Sequence, residues 1–334
     1  AQAILEDLFK ETSKNYKVMN AFVDASIAQL DYQKAMQKVE QLNLLALDSG
    51  TLDLNQLDLV CNQIELLLDQ GEESSVKTIL NNSALDNRGY PRINALKSRV
   101  AATEGHKPQA VDDINQAIED YHKNLQAINP TTPSELFRVQ ANLQSFANAY
   151  REIGEYQSAH QYQQEAWKLL NNQPDVNWRY VQLIIQSAEN QQIAQTAKLT
   201  EHAPGPEFLD DKYYQLGKGL LDGLKPFLPE KDLLCLQSRL TSAFSGKWPL
   251  HLHVANCLET SETAAAFILG CEDENRVSET VRAYPHSLSV LQASAVFSVK
   301  TGLRDNTNAA EKALQIEPSN PILHALYGLI NFDN

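Results

Sequence analysis

The sequence predicts an all-α protein, a solenoid of antiparallel helix pairs with no single central core. Three observations predict it. Apolar residues recur at helical spacing through most of the 334 residues. Glycines break that pattern where one helix would turn into the next, at Gly71, Gly105 and Gly154. The breaks also recur at similar intervals, 34 residues from Gly71 to Gly105 and 33 from Pro285 to Pro318. Residues 143–166 are the clearest pair: Leu143, Phe146, Ala147 and Tyr150 share one helical face, Gly154 turns the chain, and Tyr156, Ala159 and Ala166 share the next. The alanines let two helices approach closely while the aromatics fill the space around them.

Taken in order, residues 1–13 read as a short amphipathic helix that caps one end, with Ile4, Leu5, Leu8 and Phe9 together. Two helices follow in 16–45, broken near Asp31, and Tyr32 and Ala35 repeat the offset of Tyr156 and Ala159. Residues 51–69 form an apolar helix, Gly71 ends it, and 74–81 complete that pair. After Gly105 come Ala110, Ile114 and Ala117. The 49 residues from Gly105 to Gly154 require the helix near Pro108 to run long, to about Asn129. Pro130 and Pro133 then break it, with Thr132 or Ser134 available as the next cap. A weaker hairpin is expected over 178–202, turning near Asn190, with Val181, Ile184, Ile185 and Ala188 as its core. Five prolines fall between Ala203 and Pro249, marking a connector. Helices follow at 251–258, 262–271 and 275–283, then a pair after Pro285 and a last helix carrying Gly328.

These offsets of Gly, aromatic and Ala, together with the 34-residue interval, resemble the tetratricopeptide repeat family. The resemblance is specific at 143–166, 105–117 and 291–328, and covers about two-thirds of the chain. Gln163 stands where the family usually has an aromatic, and Asn306 where it usually has Ala. The resemblance implies a right-handed superhelix, with an N-terminal array at 1–203, an irregular connector at 204–249 and a C-terminal array at 250–334. It also implies that the first helix of each pair lines the concave side. Phasing on Gly105 and Gly154 places Arg92, Arg99, Gln144, Asn148 and Arg151 there, and the weaker hairpin adds Asn177 and Tyr180.

A formal net charge of -14, from 28 Lys plus Arg and 42 Asp plus Glu, opposes non-specific attraction to nucleic acid or an anionic membrane. No run approaches the roughly 18 apolar residues a membrane span needs. Between Val39 and Val76 there is no Lys or Arg, while Glu40, Asp48, Asp53, Asp58, Glu65, Asp69, Glu72 and Glu73 lie there. That stretch is either a solvated acidic face or a site that steers a basic partner. The four cysteines are no disulfide framework. They read as small buried apolar residues, with Cys257 and Cys271 close enough in sequence to meet. The first residue, Ala1, leaves the compartment undecided between cytoplasmic and exported, and suggests a processed or truncated chain.

Catalysis has no support in the sequence. His251, His253 and Cys257 have a spacing zinc permits, but no HExxH or CxxC accompanies them. GKGLLDG at 217–223 follows no strand and is no phosphate loop, and no GxSxG elbow is present. No catalytic residue, metal or cofactor is expected. The expected function is protein or peptide recognition, in which Arg and amide side chains on a concave face hold an extended backbone and a carboxylate. The alternative is a ligand-sensing or regulatory domain of a larger protein. Oligomeric state is not legible.

Overall fold

The computed structural model describes residues 15–40, 52–82, 85, 89–124, 130, 132–199, 204–249, 257, 260–302 and 308–332. The expected helix at 1–13 and the position of Asn306 lie outside them. The described residues form 16 α-helices and one 3-10 turn, with no strand among them. They fall into two compact units, Ala1–Asn177 and Trp178–Asn334.

Unit 1 contains four helix pairs: α1 (Tyr16–Ala28) with α2 (Tyr32–Glu40), α3 (Leu54–Asp69) with α4 (Glu73–Leu80), α5 (Pro91–Thr103) with α6 (Lys107–Asn124), and α7 (Pro133–Ile153) with α8 (Tyr156–Leu169). All four turn the same way. The residue closing the first helix takes a positive φ, and the next amide bonds back to the carbonyl five residues earlier. Gly71, Gly105 and Gly154 fill that position with φ of 76°, 79° and 90°. Glu72, His106 and Glu155 supply the amides, to Leu67, Ala101 and Tyr150, at 2.8–2.9 Å. In the first pair Leu30 takes the glycine position at φ 63°, with Asp31 bonded to Ser26 at 2.9 Å, so a hairpin forms there without the residue that would announce it.

The helix starts follow from the caps. Asp53 and Gln56 form a reciprocal box at α3, as do Thr132 and Glu135 at α7, so Thr132 is the cap of the two candidates. The extra length between Gly105 and Gly154 goes into α6 and into α7, which is 21 residues long. The first helices pack side by side, α1 on α3, α3 on α5 and α5 on α7, each also touching its own second helix. Phe146 lies at the centre of the last pair, edge-on to Tyr121 and Tyr162 at 5.5 Å, and Tyr150 stacks on Tyr162. This pairing and stacking is the repeating architecture of an α-solenoid.

Helix α9 (Pro174–Thr196) is continuous, so the turn expected near Asn190 does not occur. No Gly or Pro interrupts it, and Ile193, Ala194 and Ala197 carry the buried face past that point. Unit 2 goes on through a 3-10 turn (Pro206–Leu209), α10 (Asp211–Leu224), α11 (Glu230–Ser245), α12 (Ser261–Gly270), α13 (Glu274–Ala283), α14 (Leu288–Thr301), α15 (Ala309–Ile316) and α16 (Pro321–Phe332). The proline-containing stretch 204–249 thus lies inside this unit and carries α10 and α11. Helices α12, α14 and α16 stack in sequence, with α13 and α15 against them.

Two glycines permit close approach in unit 2. A Cβ at Gly270 would stand 2.6 Å from the Trp248 amide nitrogen, and one at Gly217 2.9 Å from Leu240 Cδ1. The cysteine pairing differs from the expected one. Cys235 on α11 is joined to Cys257, while Cys271 is free and partly exposed at the end of α12, and Cys61 is free and buried. A helix separates Cys271 from Cys257, whereas the Cα atoms of Cys235 and Cys257 lie 5.4 Å apart, within the span a disulfide bridges.

Candidate functional site

Within unit 1 the stacked first helices carry polar residues at helical spacing on otherwise apolar surfaces. Helix α1 has Asn20 and Asp24 one turn apart. Helix α3 has Asp58, Asn62, Glu65 and Asp69, α5 has Arg92 and Arg99, and α7 has Arg138, Ser145, Asn148 and Glu152. Spacings of three, four or seven keep each set on one face. Because these helices lie side by side, four stripes merge into one polar ladder.

The ladder's members are bonded to one another, although Asn20 Oδ1 and Arg99 Nε are buried without partners among the described residues. Asp58 accepts from the Tyr90 hydroxyl, from Arg138 Nε at 2.9 Å and from Asn20 Nδ2 at 3.4 Å. Asn62 donates to Asp24 at 3.0 Å and accepts from Arg92 Nη2 at 2.9 Å, and Arg92 Nε reaches Ser145 Oγ at 3.3 Å. Glu65 accepts from Arg99 Nη1 at 3.0 Å, from Asn148 Nδ2 at 3.3 Å and from the Ser145 hydroxyl. At the far end Arg99 Nη2 lies 3.4 Å from Asp69 and 4.0 Å from Glu152, which Arg151 holds at 2.7 Å.

The electrostatics follow from this wiring. Burial works against the charge of Arg92, but nearby acidic groups, Glu65 and Asp58 among them, outweigh it and hold the guanidinium protonated. Burial likewise opposes ionisation of Glu152, and Arg151 and Arg99 overcome it, leaving that carboxyl below its usual range. Asp24 goes the other way. Burial, reinforced by the negative charge of Asp58, pushes its carboxyl up to about 7.

Of the residues expected on the concave face, Arg92, Arg99, Gln144 and Asn148 are each only 3–5% exposed. Arg92, Arg99, Asn148 and the partly exposed Arg151 belong to the ladder. Gln144 does not. It forms a reciprocal amide pair with Gln163 across its own hairpin, at 2.6 and 3.1 Å, which explains why Gln163 replaces an aromatic. Asn177 accepts from the Trp167 indole at 3.0 Å. Tyr180 is buried, and burial raises its hydroxyl well above the ordinary tyrosine range.

Asp58 and Glu65, read in sequence as part of a solvated acidic run or a steering site, are instead internal partners of arginines 34 to 80 residues away. Asn20, Asp24, Asn62, Arg138 and Ser145 were not legible as site residues. The one signal for them was polar residues recurring every three or four positions inside an apolar helix, as in 54–69. His251 and His253 lie outside the described residues, and no group of three metal-ligating side chains occurs among those described. Among them, too, no helix is long and apolar enough to cross a membrane.

No protein-family model matches the chain, and no curated protein matches it. Among solved structures, the TPR domain of P58(IPK) at 2.5 Å is similar over 97% of this chain and 81% of that one, with 12% identity and a TM-score of 0.24. That score is too low to equate individual repeats, so the helix pairs rest on this chain's own turns and packing.

Proposed function

We propose that the protein is a non-catalytic scaffold that captures a protein or peptide partner along the polar ladder of unit 1. One observation carries this. The ladder is bonded inside, yet it leaves hydrogen-bonding side chains partly accessible along its length, at Asp24, Arg138, Arg151, Glu152 and Asp69, the last 35% exposed. Donors and acceptors held by a packed scaffold bind an extended chain without first losing their own freedom, which removes the side-chain ordering cost of association. Arg151 and Arg138 suit carboxylates, and Asp24 and Asp69 suit cations. Of the residues to which the family resemblance assigned the contact, Arg92, Arg99 and Asn148 lie inside the ladder and bond the side chains behind these outer groups.

The test is selection of binders from a random heptapeptide display library on the full chain, followed by hydrogen-exchange mass spectrometry of the best complex. Protection gathered in α1, α3, α5 and α7 supports the proposal. Protection confined to the second helices or to unit 2 overturns it.

A further inference from the structure

The ladder holds five carboxyls (Asp24, Asp58, Glu65, Asp69, Glu152) and four guanidiniums (Arg92, Arg99, Arg138, Arg151). Arg138 is bonded to Asp58, while Arg99 and Arg151 serve Glu65, Asp69 and Glu152. Arg92 is bonded to two neutral groups, Asn62 and Ser145. Asp24 receives one hydrogen bond, from Asn62, and among the described residues no ammonium or guanidinium lies within ion-pair distance of it. Glu65, Asp69 and Glu152 share two guanidiniums, while Asp24 at the α1 end has no direct ion pair among the described residues and is linked to Arg92 only through Asn62.

The groups facing Asp24 from each packed helix are known. From α3 these are Asp58 and Asn62, from α5 Arg92, and from α7 Arg138. On α2 the cations Lys34 and Lys38 lie over the Phe22 ring instead. A second observation points to a ligand. Asn20, one turn before Asp24 and only 8% exposed, gives its amide nitrogen to Asp58, but its carbonyl Oδ1 is buried with no partner. A buried acceptor left without a donor costs free energy, which an arriving donor recovers. Arg92 is the alternative anchor, for an anion, but it is 4% exposed while Asp24 is partly open.

We infer that Asp24 and Asn20 receive an ammonium or guanidinium group, a Lys or Arg side chain of the captured peptide, which docks at the α1 end of the ladder and brings its formal charge to zero. This rests on the proposed capture of a partner along the ladder, called the groove reading below. The cation supplies donors for Asp24 and for Asn20 Oδ1, a geometry that suits a multivalent donor better than a neutral hydroxyl. Asp24 has to be ionised to hold it, so binding at low pH requires loss of a proton.

The experiment uses the best Lys- or Arg-containing heptapeptide from the display selection, its counterpart with norleucine at that position, and the full chain as wild type, Asp24→Asn and Asn20→Ala. Circular dichroism confirms folding of each. We expect norleucine and Asp24→Asn each to weaken binding at least about tenfold, with little further loss when combined, because both remove one contact. Asn20→Ala weakens binding less. Wild-type affinity falls by up to about tenfold per pH unit below pH 7, and that of Asp24→Asn does not.

Peptides that tolerate norleucine at every basic position, or that bind Asp24→Asn equally, overturn the inference and leave the groove reading standing. A selection yielding no binder overturns the groove reading. In that event n-butylammonium decides the inference: a rise in melting temperature of the wild type but not of Asp24→Asn assigns the site to a free amine, and no rise overturns it.

Discussion

Between α3, α5 and α7 the helix contacts are lined by Asn62, Glu65, Arg92, Arg99 and Ser145, whereas between α12, α14 and α16 they are lined by residues such as Ala264, Ile268, Val290, Ala293, Phe297, Leu323 and Leu326. Both are stacks of first helices in successive pairs. In unit 1 the ladder specifies register, because a slip of one residue would leave several charges buried without partners. In unit 2 apolar surfaces could slide with little loss of hydrophobic burial. Register there relies on shape and on a hydrogen bond from Lys300 Nζ on α14 to the Leu269 carbonyl on α12 at 3.3 Å, while the buried Arg239–Glu189 pair at 2.8 Å ties α11 to α9 and the disulfide ties α11 to Cys257. Two packed helix stacks can therefore look alike while one is fixed mainly by directional bonds between buried polar side chains and the other mainly by steric fit.

Four measurements sharpen or break this contrast, each read by hydrogen exchange localised to peptides of either unit. Glu65→Ala leaves Arg99 without its closest partner and Ser145 and Asn148 without their acceptor. The expected loss is about 3–5 kcal/mol, the usual cost of orphaning one member of a buried ion pair, seen in unit 1 alone. A loss below about 1 kcal/mol would mean the ladder is not what holds the stack. Reduction of Cys235–Cys257, or the paired serine variant, opens a separation of 22 residues. Chain entropy predicts a loss of about 3 kcal/mol, confined to unit 2.

Asp24→Asn tests the strained end of the ladder through pH. The folded carboxyl is raised to about 7 from an ordinary value of 3.8, so between those values the native state holds the proton more tightly than the unfolded chain does. Wild-type stability therefore falls as pH rises from about 4 to 7, by at most about 1.4 kcal/mol per unit, and levels off above. The variant lacks this slope, and equal slopes in the two proteins would refute the assignment. The smallest effect is expected for Lys198→Gly. Lys198 is exposed at φ 58° at the end of α9, where Leu199 bonds back to Ala194 as in the glycine turns of unit 1. Relieving that backbone conformation gains up to about 1 kcal/mol, in unit 2 only.

Some of this was legible beforehand. Gly71, Gly105 and Gly154 announced their turns because a positive φ strongly favours glycine. Leu30 and Lys198 adopt the same conformation without that residue: the Tyr32 and Ala35 offset placed a break near Asp31, but no local pattern marks Lys198. Asn190 resembled a break because it is polar and a modest helix former, but the apolar face beyond it decided otherwise. Gln163 looked like a defect in the repeat until Gln144 stood opposite it.

Sequence alone determined the all-α class, the hairpin turns at the three glycines and the apolar faces that pair α5 with α6 and α7 with α8. These depend on helical period and on backbone freedom, which are local. Tertiary structure alone decided which polar residues face inward, which cysteines are joined, and that Arg99 and Arg151, expected to meet a partner, first meet Glu65, Asp69 and Glu152. Each of those outcomes depends on residues tens of positions apart along the chain, whose facing faces are set only when the helices stack.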